Sequence, residues 1–254
     1  MKNAIEVSHL TKDYGSFRLD DISFTLPGGS ILGLIGENGA GKTTVIKCML
    51  GLTHRDSGEI RLLERDALEE ERSVKEEVGV VLDESSFHDA LKVKDVDKIL
   101  SRVYSQWDSA LFRDYCRKYS LPDDKTVKAF SRGMKMKLSI AAALSHHPKL
   151  LLLDEATGGL DPVVRDELLD EFLNFIQDEE HAILLSSHIT SDLEKCADYI
   201  VYLHQGRITL QGSKDDLLGS YGRLVCTRAD LEYVDPKLLH GTRVSRFSCE
   251  ALVR

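Results

Sequence analysis

The feature that most constrains this chain is the run Gly36-Glu37-Asn38-Gly39-Ala40-Gly41-Lys42-Thr43, placed directly after the apolar stretch Ile31 to Ile35. It fits the pattern G-x-x-x-x-G-K-[ST], and a strand before with a helix after is the context in which that pattern cradles phosphate. Glycines let the backbone curl so that its N–H groups point inward, and a helix opening near Lys42 adds the positive end of its dipole. Lys42 then sets a mobile cation on the β- and γ-phosphates of a nucleotide, and the Thr43 hydroxyl is of the kind that ligates Mg²⁺. Gly36, Glu37, Asn38, Gly39, Ala40, Gly41, Lys42, Thr43 and the adjoining Thr44 are therefore candidate nucleotide contacts.

The pattern along the chain supplies the frame for such a loop. Ile5 to Leu10 and Ile22 to Leu26 read as strands, with a turn at Pro27-Gly28-Gly29 leading into the strand before the phosphate loop. A helix follows over roughly 42–50, then short strands at Glu59 to Leu63 and Gly79 to Leu82, separated by a charged, solvated segment, Glu69 to Glu77. From Asp89 to Leu144 the pattern is helical, with Trp107, Phe112, Tyr115 and Tyr119 spaced to face a core and a break at Leu121-Pro122-Asp123. This predicts an inserted helical subdomain over about 85–148. Strands and helices then alternate: Leu150 to Leu153, Pro162 to Gln177, Ala182 to Ser186, Ser191 to Cys196, Tyr199 to Leu203. Such alternation predicts an α/β fold whose parallel sheet is covered on both faces. The segment 214–254 has weaker patterning and no motif, and reads as an appendage to a unit spanning 1–213.

Two further runs carry chemistry. Leu150-Leu151-Leu152-Leu153 is a buried-strand pattern ending in Asp154 and Glu155, at the strand end where open α/β sheets bind their ligands. After a phosphate loop, Asp154 is suited to holding Mg²⁺ through water, and Glu155 to orienting or deprotonating the water that attacks the γ-phosphate. Phe130-Ser131-Arg132-Gly133-Met134 stands immediately ahead of the helical run Lys135 to Leu144. A serine hydroxyl, a glycine N–H and a helix N-terminus make an anion site, although Ser-x-Gly before a helix is also an ordinary N-cap.

Bulk composition narrows the function classes. With 254 residues, 42% of them hydrophobic, the chain can bury a sizeable core. No apolar run approaches the roughly 18 to 20 residues that span a bilayer, and the start Met1-Lys2-Asn3-Ala4-Ile5-Glu6 lacks the apolar stretch of a signal peptide. A formal net charge of -9 argues against a broad basic surface, so nucleic acid is not an expected partner. The five cysteines have no C-x-x-C spacing and are expected to be reduced thiols, and the doublet His146-His147 is expected to be a solvated helix end.

Taken in order, these runs resemble the nucleotide-binding subunit of an ATP-binding cassette (ABC) transporter, over about Ile5 to Gly212. Phe130 to Met134 is similar to the family signature LSGGQ, Gly158-Gly159-Leu160-Asp161 to the D-loop, and Ser187-His188 to the switch histidine after its strand. Tyr14, within Lys12-Asp13-Tyr14-Gly15, matches the aromatic residue that stacks on adenine. The resemblance implies a P-loop NTPase of ABC type: a RecA-like parallel core, an antiparallel β subdomain and an inserted helical subdomain. It further implies ATP and Mg²⁺ as cofactors, with Asp161 among the nucleotide contacts and His188, Glu155 and Lys42 as catalytic residues. Two such domains, a homodimer or a pair with a paralogous ATPase, are implied to meet head to tail, Ser131 and Gly133 of one closing over ATP held by Lys42 of the other.

Two places depart from the family pattern. Asp83, in Val80-Val81-Leu82-Asp83-Glu84, stands where the family has a glutamine that touches Mg²⁺ and the attacking water; it is a candidate metal ligand and an added negative charge beside the γ-phosphate, which implies slow basal hydrolysis. In the signature, Arg132 replaces a glycine and Met134 a glutamine. Together with Val103-Tyr104-Ser105-Gln106-Trp107-Asp108 these resemble the bacterial drug-resistance and antimicrobial-peptide export branch. The function implied is that of an ATPase, peripheral on the cytoplasmic face of the membrane, driving export of a peptide or drug through a separate transmembrane permease subunit. A soluble ABC-type ATPase acting on ribosomes or DNA is the alternative, but its long coiled coils, zinc insertions or fused second cassette are not in this sequence.

Overall fold

The structure is a computed structural model and describes residues 2–83, 87–245 and 248–253. The expected start of the helical insertion, near residue 85, lies outside the described residues. In chain order the elements are β1 (Asn3–Asp13), β2 (Arg18–Pro27), β3 (Ile31–Ile35), α1 (Lys42–Met49), β4 (Ser57–Leu62), β5 (Arg65–Asp66), α2 (Glu71–Glu76) and β6 (Val78–Val81). The helical stretch follows: α3 (Val93–Val103), α4 (Ser109–Lys118) and α5 (Arg132–Leu144). The alternating stretch is β7 (Leu150–Asp154), α6 (Pro162–Phe175), β8 (Ala182–Ser187), α7 (Thr190–Cys196), β9 (Tyr199–His204) and β10 (Arg207–Ser213). Last come α8 (Lys214–Ser220), β11 (Gly222–Cys226), α9 (Arg228–Leu231), β12 (Leu239–Val244) and β13 (Cys249–Val253). The chain divides into two compact units at residues 211 and 212.

In the larger unit, six strands run in the order β10-β9-β3-β8-β7-β6, with β9, β3, β8, β7 and β6 paired in parallel. Every residue of β7 and β8 is buried. Alternate residues serve different cores: Leu150 and Leu152 join the one shared by β1, β2, β4 and α1, while Leu151 and Leu153 join the one formed with α3 to α7. A strand apolar on both faces has to be covered on both faces, which is why its sequence reads as an unbroken run of leucines. A second sheet, β2-β1-β4-β5, is antiparallel throughout and holds α1 against the parallel sheet through Val45, Ile46 and Met49.

The helical stretch packs as its spacing predicts, with Phe112 and Tyr119 buried and Trp107 and Tyr115 partly buried against the same core. Asp108 caps α4 by accepting from the Ala110 and Leu111 N–H groups. One expectation is corrected here. His146 is not solvated: it is 1% exposed, stacks on the Tyr104 ring at 4.0 Å and lies 3.3 Å from the Val78 carbonyl. The chain turns at the end of α5 so that His146 faces inward and His147 faces out, a split that adjacent helix-end residues make possible and spacing alone leaves undetermined.

The smaller unit folds into a three-stranded antiparallel sheet, β11-β13-β12, that the weak patterning of 214–254 does not announce. Its centre is β13, whose Cys249 and Ala251 are buried. Cys226 and Cys249, 23 positions apart in sequence, are direct cross-strand neighbours, both as free thiols.

Candidate nucleotide-binding and catalytic site

The phosphate loop leaves β3 at Ile35 and enters α1 at Lys42. Gly41 is the N-cap of α1 at φ 110°, where a Cβ would sit 2.6 Å from Leu19 and 2.8 Å from Phe17, so glycine is required by both backbone and space. The turn folds Lys42 back over its own loop. Its Nζ donates to the Gly36 carbonyl at 2.7 Å and to the Glu37 carbonyl at 3.3 Å, and it lies 3.1 Å from Glu155 Oε1. At 5% exposed, this ammonium is desolvated and anchored at the mouth of a helix N-terminus.

Two adjacent carboxylates meet that loop in different ways. Asp154, 2% exposed at the end of β7, accepts from the Thr43 hydroxyl at 2.7 Å and from the Ser186 hydroxyl at 2.6 Å. Glu155 turns the chain with φ 51°, a left-handed backbone that is uncommon for a residue with a side chain. Its N–H donates to the Ser186 hydroxyl and carbonyl, both at 3.1 Å, which holds that backbone in place. The side chain is thereby aimed back at the loop, between Lys42 and His188, whose Nδ1 is 2.6 Å from Glu155 Oε2. Non-glycine residues in the left-handed region cluster at working sites because the surroundings over-determine them.

These groups open on a cleft of about 550 Å³. Tyr14, Glu37, Asn38, Gly39, Gly41, Lys42, Thr43, Thr44, Asp83 and Glu155, all singled out from sequence, line it. Tyr14 is 50% exposed at its rim, with Lys12 Nζ 5.4 Å from the ring centroid. Gly36, Ala40 and Asp154 stand behind the lining: Gly36 through its carbonyl, Ala40 buried, Asp154 through Thr43.

His188 stands outside the lining, against Glu155, and three further candidates lie away from this cleft. Ser131 is the N-cap of α5 and accepts from the Met134 N–H at 3.2 Å; Gly133 lies one residue into that helix, beside Leu160. Asp161 is the N-cap of α6, accepting from the Val164 N–H at 3.1 Å. Each of these capping side chains satisfies an otherwise orphaned helix N–H.

Several residues emerge that sequence reading gave no role, Ser16 of the cleft lining among them. Ser186 joins Asp154 and Glu155 because β7 and β8 pair in register Asp154↔Ser186, a relation only the sheet establishes. Phe17 lines the cleft beside Tyr14, held by a Tyr14 N–H to Phe17 carbonyl bond of 2.9 Å. Arg132 pairs with Asp83 at 2.5 Å, so the two departures from the family pattern touch one another.

Among the described residues no helix is long and apolar enough to cross a membrane. A family model described as "ABC transporter" matches residues 19–158. The chain is 35% identical over 214 residues to the lantibiotic transport ATP-binding protein SrtF of Streptococcus pyogenes, covering 83% of this chain and 91% of that protein. It is 32% identical over 211 residues to the bacitracin transport ATP-binding protein BcrA of Bacillus licheniformis, covering 82% and 69%. A solved ATP-binding subunit of an ABC transporter superimposes with a TM-score of 0.77 at 28% identity, over 84% of this chain and 91% of its own. With the phosphate loop, the paired carboxylates and the two-sheet core already in place, these likenesses are sufficient: the chain belongs to the ABC transporter family, as one of its ATP-binding, ATP-hydrolysing subunits.

Proposed function

We propose that this subunit binds Mg-ATP in the cleft of the phosphate loop, pairs head to tail with a second cassette, and drives export of a peptide or drug through a separate transmembrane permease. Peripheral attachment at the cytoplasmic face follows from that partner. The observation that carries the ATP chemistry is the contact chain Lys42–Glu155–His188 beside Thr43–Asp154–Ser186, all within hydrogen-bond or ion-pair reach. The export reading is supported by relatives that serve lantibiotic and bacitracin transport.

In this reading the loop N–H groups and Lys42 hold the β- and γ-phosphates, and Tyr14 stacks on the adenine. ATP displaces the Lys42 ammonium from Glu155 Oε1, which frees the glutamate to orient the attacking water and take its proton. Among the described residues, Oε1 is a buried oxygen without a hydrogen-bond donor, its close partner being the Lys42 charge. His188, already against the other oxygen, keeps the carboxylate in position and reaches for the γ-phosphate.

The Thr43 hydroxyl and Asp154 carboxylate are hard oxygen donors that converge at 2.7 Å, and Asp83 lines the same cleft. This set suits Mg²⁺, which keeps waters and shares a few protein oxygens with substrate phosphates rather than filling an all-protein cage. When bound, the ion offsets charge on the β- and γ-phosphates. Ser131 and Gly133 act on ATP held by the other cassette, as does Asp161 at the D-loop.

The test of the chemistry is turnover of Glu155→Gln, expected to fall at least about 100-fold with ATP affinity retained. Wild-type turnover in that variant would remove Glu155 from the reaction. For the transport role, tagged Glu155→Gln is purified from detergent-solubilised cells in Mg-ATP. A polytopic membrane protein is expected to copurify, and recovery of ribosomes or DNA-bound proteins alone would overturn the export assignment.

A further inference from the structure

Among the described residues lining the cleft, Lys42 is the one permanent cation, against the carboxylates of Glu37, Asp83 and Glu155. A polyanion entering such a site meets like charge unless each carboxylate is offset. Glu155 is offset by Lys42 and shares a hydrogen bond with His188, and Glu37 lies 3.1 Å from His204 Nδ1. Among the described residues, Asp83 is reached by neither Lys42 nor a histidine. Its partner comes from outside the lining: Arg132 Nη2, from the first turn of α5, at 2.5 Å.

The placement of Arg132 is built rather than incidental. Its guanidinium lies against the Gly158-Gly159 turn that follows Glu155, where a Cβ on Gly159 would sit 2.9 Å from Nη1 and 3.1 Å from Cζ. Gly159 has φ 68°, so the turn both requires glycine and leaves room for the arginine. Asp83 also lines a second cavity, of about 210 Å³, that Arg132 and Lys135 share. One planar cation thus joins the end of β6, the start of α5 and the turn after β7.

We propose that Arg132 is a positioning residue for nucleotide charge: by pairing with Asp83 it offsets a carboxylate of the cleft that Lys42 does not reach, and so sets the preference of the site for ATP over the less charged ADP. This rests on the reading of the cleft as the ATP site. An arginine in the signature and an aspartate at the end of β6 are then one device, each tolerable because of the other.

The test is a binding cycle on the full chain with ATP and ADP, measured in EDTA so that metal ligation by Asp83 does not enter. The variants are Arg132→Gln, Arg132→Lys, Asp83→Asn and Arg132→Gln/Asp83→Asn. Arg132→Gln is expected to weaken ATP roughly five- to tenfold at low ionic strength and ADP distinctly less, the difference shrinking at high salt as the exposed charges are screened. Arg132→Lys keeps the wild-type ratio, and the double variant restores it, outcomes that a purely structural arginine does not produce. Equal weakening of ATP and ADP by Arg132→Gln, or a double variant as weak as the single, would overturn the proposal alone. Failure of the folded wild-type chain to bind either nucleotide, in EDTA and with Mg²⁺ alike, would overturn the ATP reading of the cleft and this proposal with it.

Discussion

Glu155 combines a left-handed backbone with a side chain aimed at the phosphate loop. A left-handed backbone costs an ordinary residue about 1 to 2 kcal/mol, and here two bonds to Ser186 and the contacts to Lys42 and His188 hold it. Lys42, Thr43, Asp154 and Glu155 were legible in sequence from residue type and spacing, and the structure sets Lys42 against Glu155 and Thr43 against Asp154. Lys42→Ala is expected to weaken ATP binding at least about tenfold, since it removes the cation held against the loop carbonyls; nucleotide titration checks this. Elsewhere, burial holds the His146 imidazole below the ordinary histidine range, outweighing the Ala142 and Val78 carbonyls that favour the cation. The unfolded chain therefore takes up this proton first as pH falls. The stability from a neutral His146 is complete above the ordinary value and is lost as pH drops through it toward the depressed folded value. Urea midpoints are expected to fall between about pH 7.5 and pH 5.5, and His146→Phe, which keeps a ring against Tyr104, to flatten that slope. An unchanged slope would clear His146 as its cause.

At the scale of elements, β7 and α5 show two different relations between pattern and place. The leucine run of β7 declares a strand buried on both faces, and the structure divides its side chains between two cores. Leu152, 0% exposed, is expected to cost about 2 to 5 kcal/mol when cut to alanine, read as a shift in the denaturation midpoint without change of slope. The helix α5 is harder to read, because Ser131 satisfies an N-cap and an anion site equally well in sequence. Here it is the cap, donating nothing to the cleft of its own chain. Ser131→Ala should therefore lose about 1 kcal/mol of stability, whereas Ser131→Asp should keep the cap and still lose turnover, because it sets a negative charge against the phosphates of a paired cassette. A Ser131→Asp chain with wild-type turnover would remove Ser131 from the nucleotide.

At the scale of the whole molecule, the caps Ser131 and Asp161 stand apart from the cleft that Lys42 and Glu155 line, an arrangement that the proposed head-to-tail pairing would bring together. Glu155→Gln with saturating Mg-ATP is accordingly expected to elute as a dimer in gel filtration, and as a monomer without nucleotide. Monomeric elution in both conditions would sink the head-to-tail model. Local sequence by itself determined the phosphate loop, the acidic strand end, the alternation of strands and helices and the absence of a spanning run, because each follows from spacing within a few residues. Tertiary structure alone decided what distant segments do together. The parallel register set Ser186 beside Asp154, the turn after α5 buried His146, the end of β6 met the start of α5 as Asp83–Arg132, and β11, β13 and β12 closed into a sheet around Cys249. The physical reason is the same in each case. Charge and hydrogen-bond partners separated by tens of residues are chosen by the packing of the elements that carry them, and no periodicity in the chain encodes that choice.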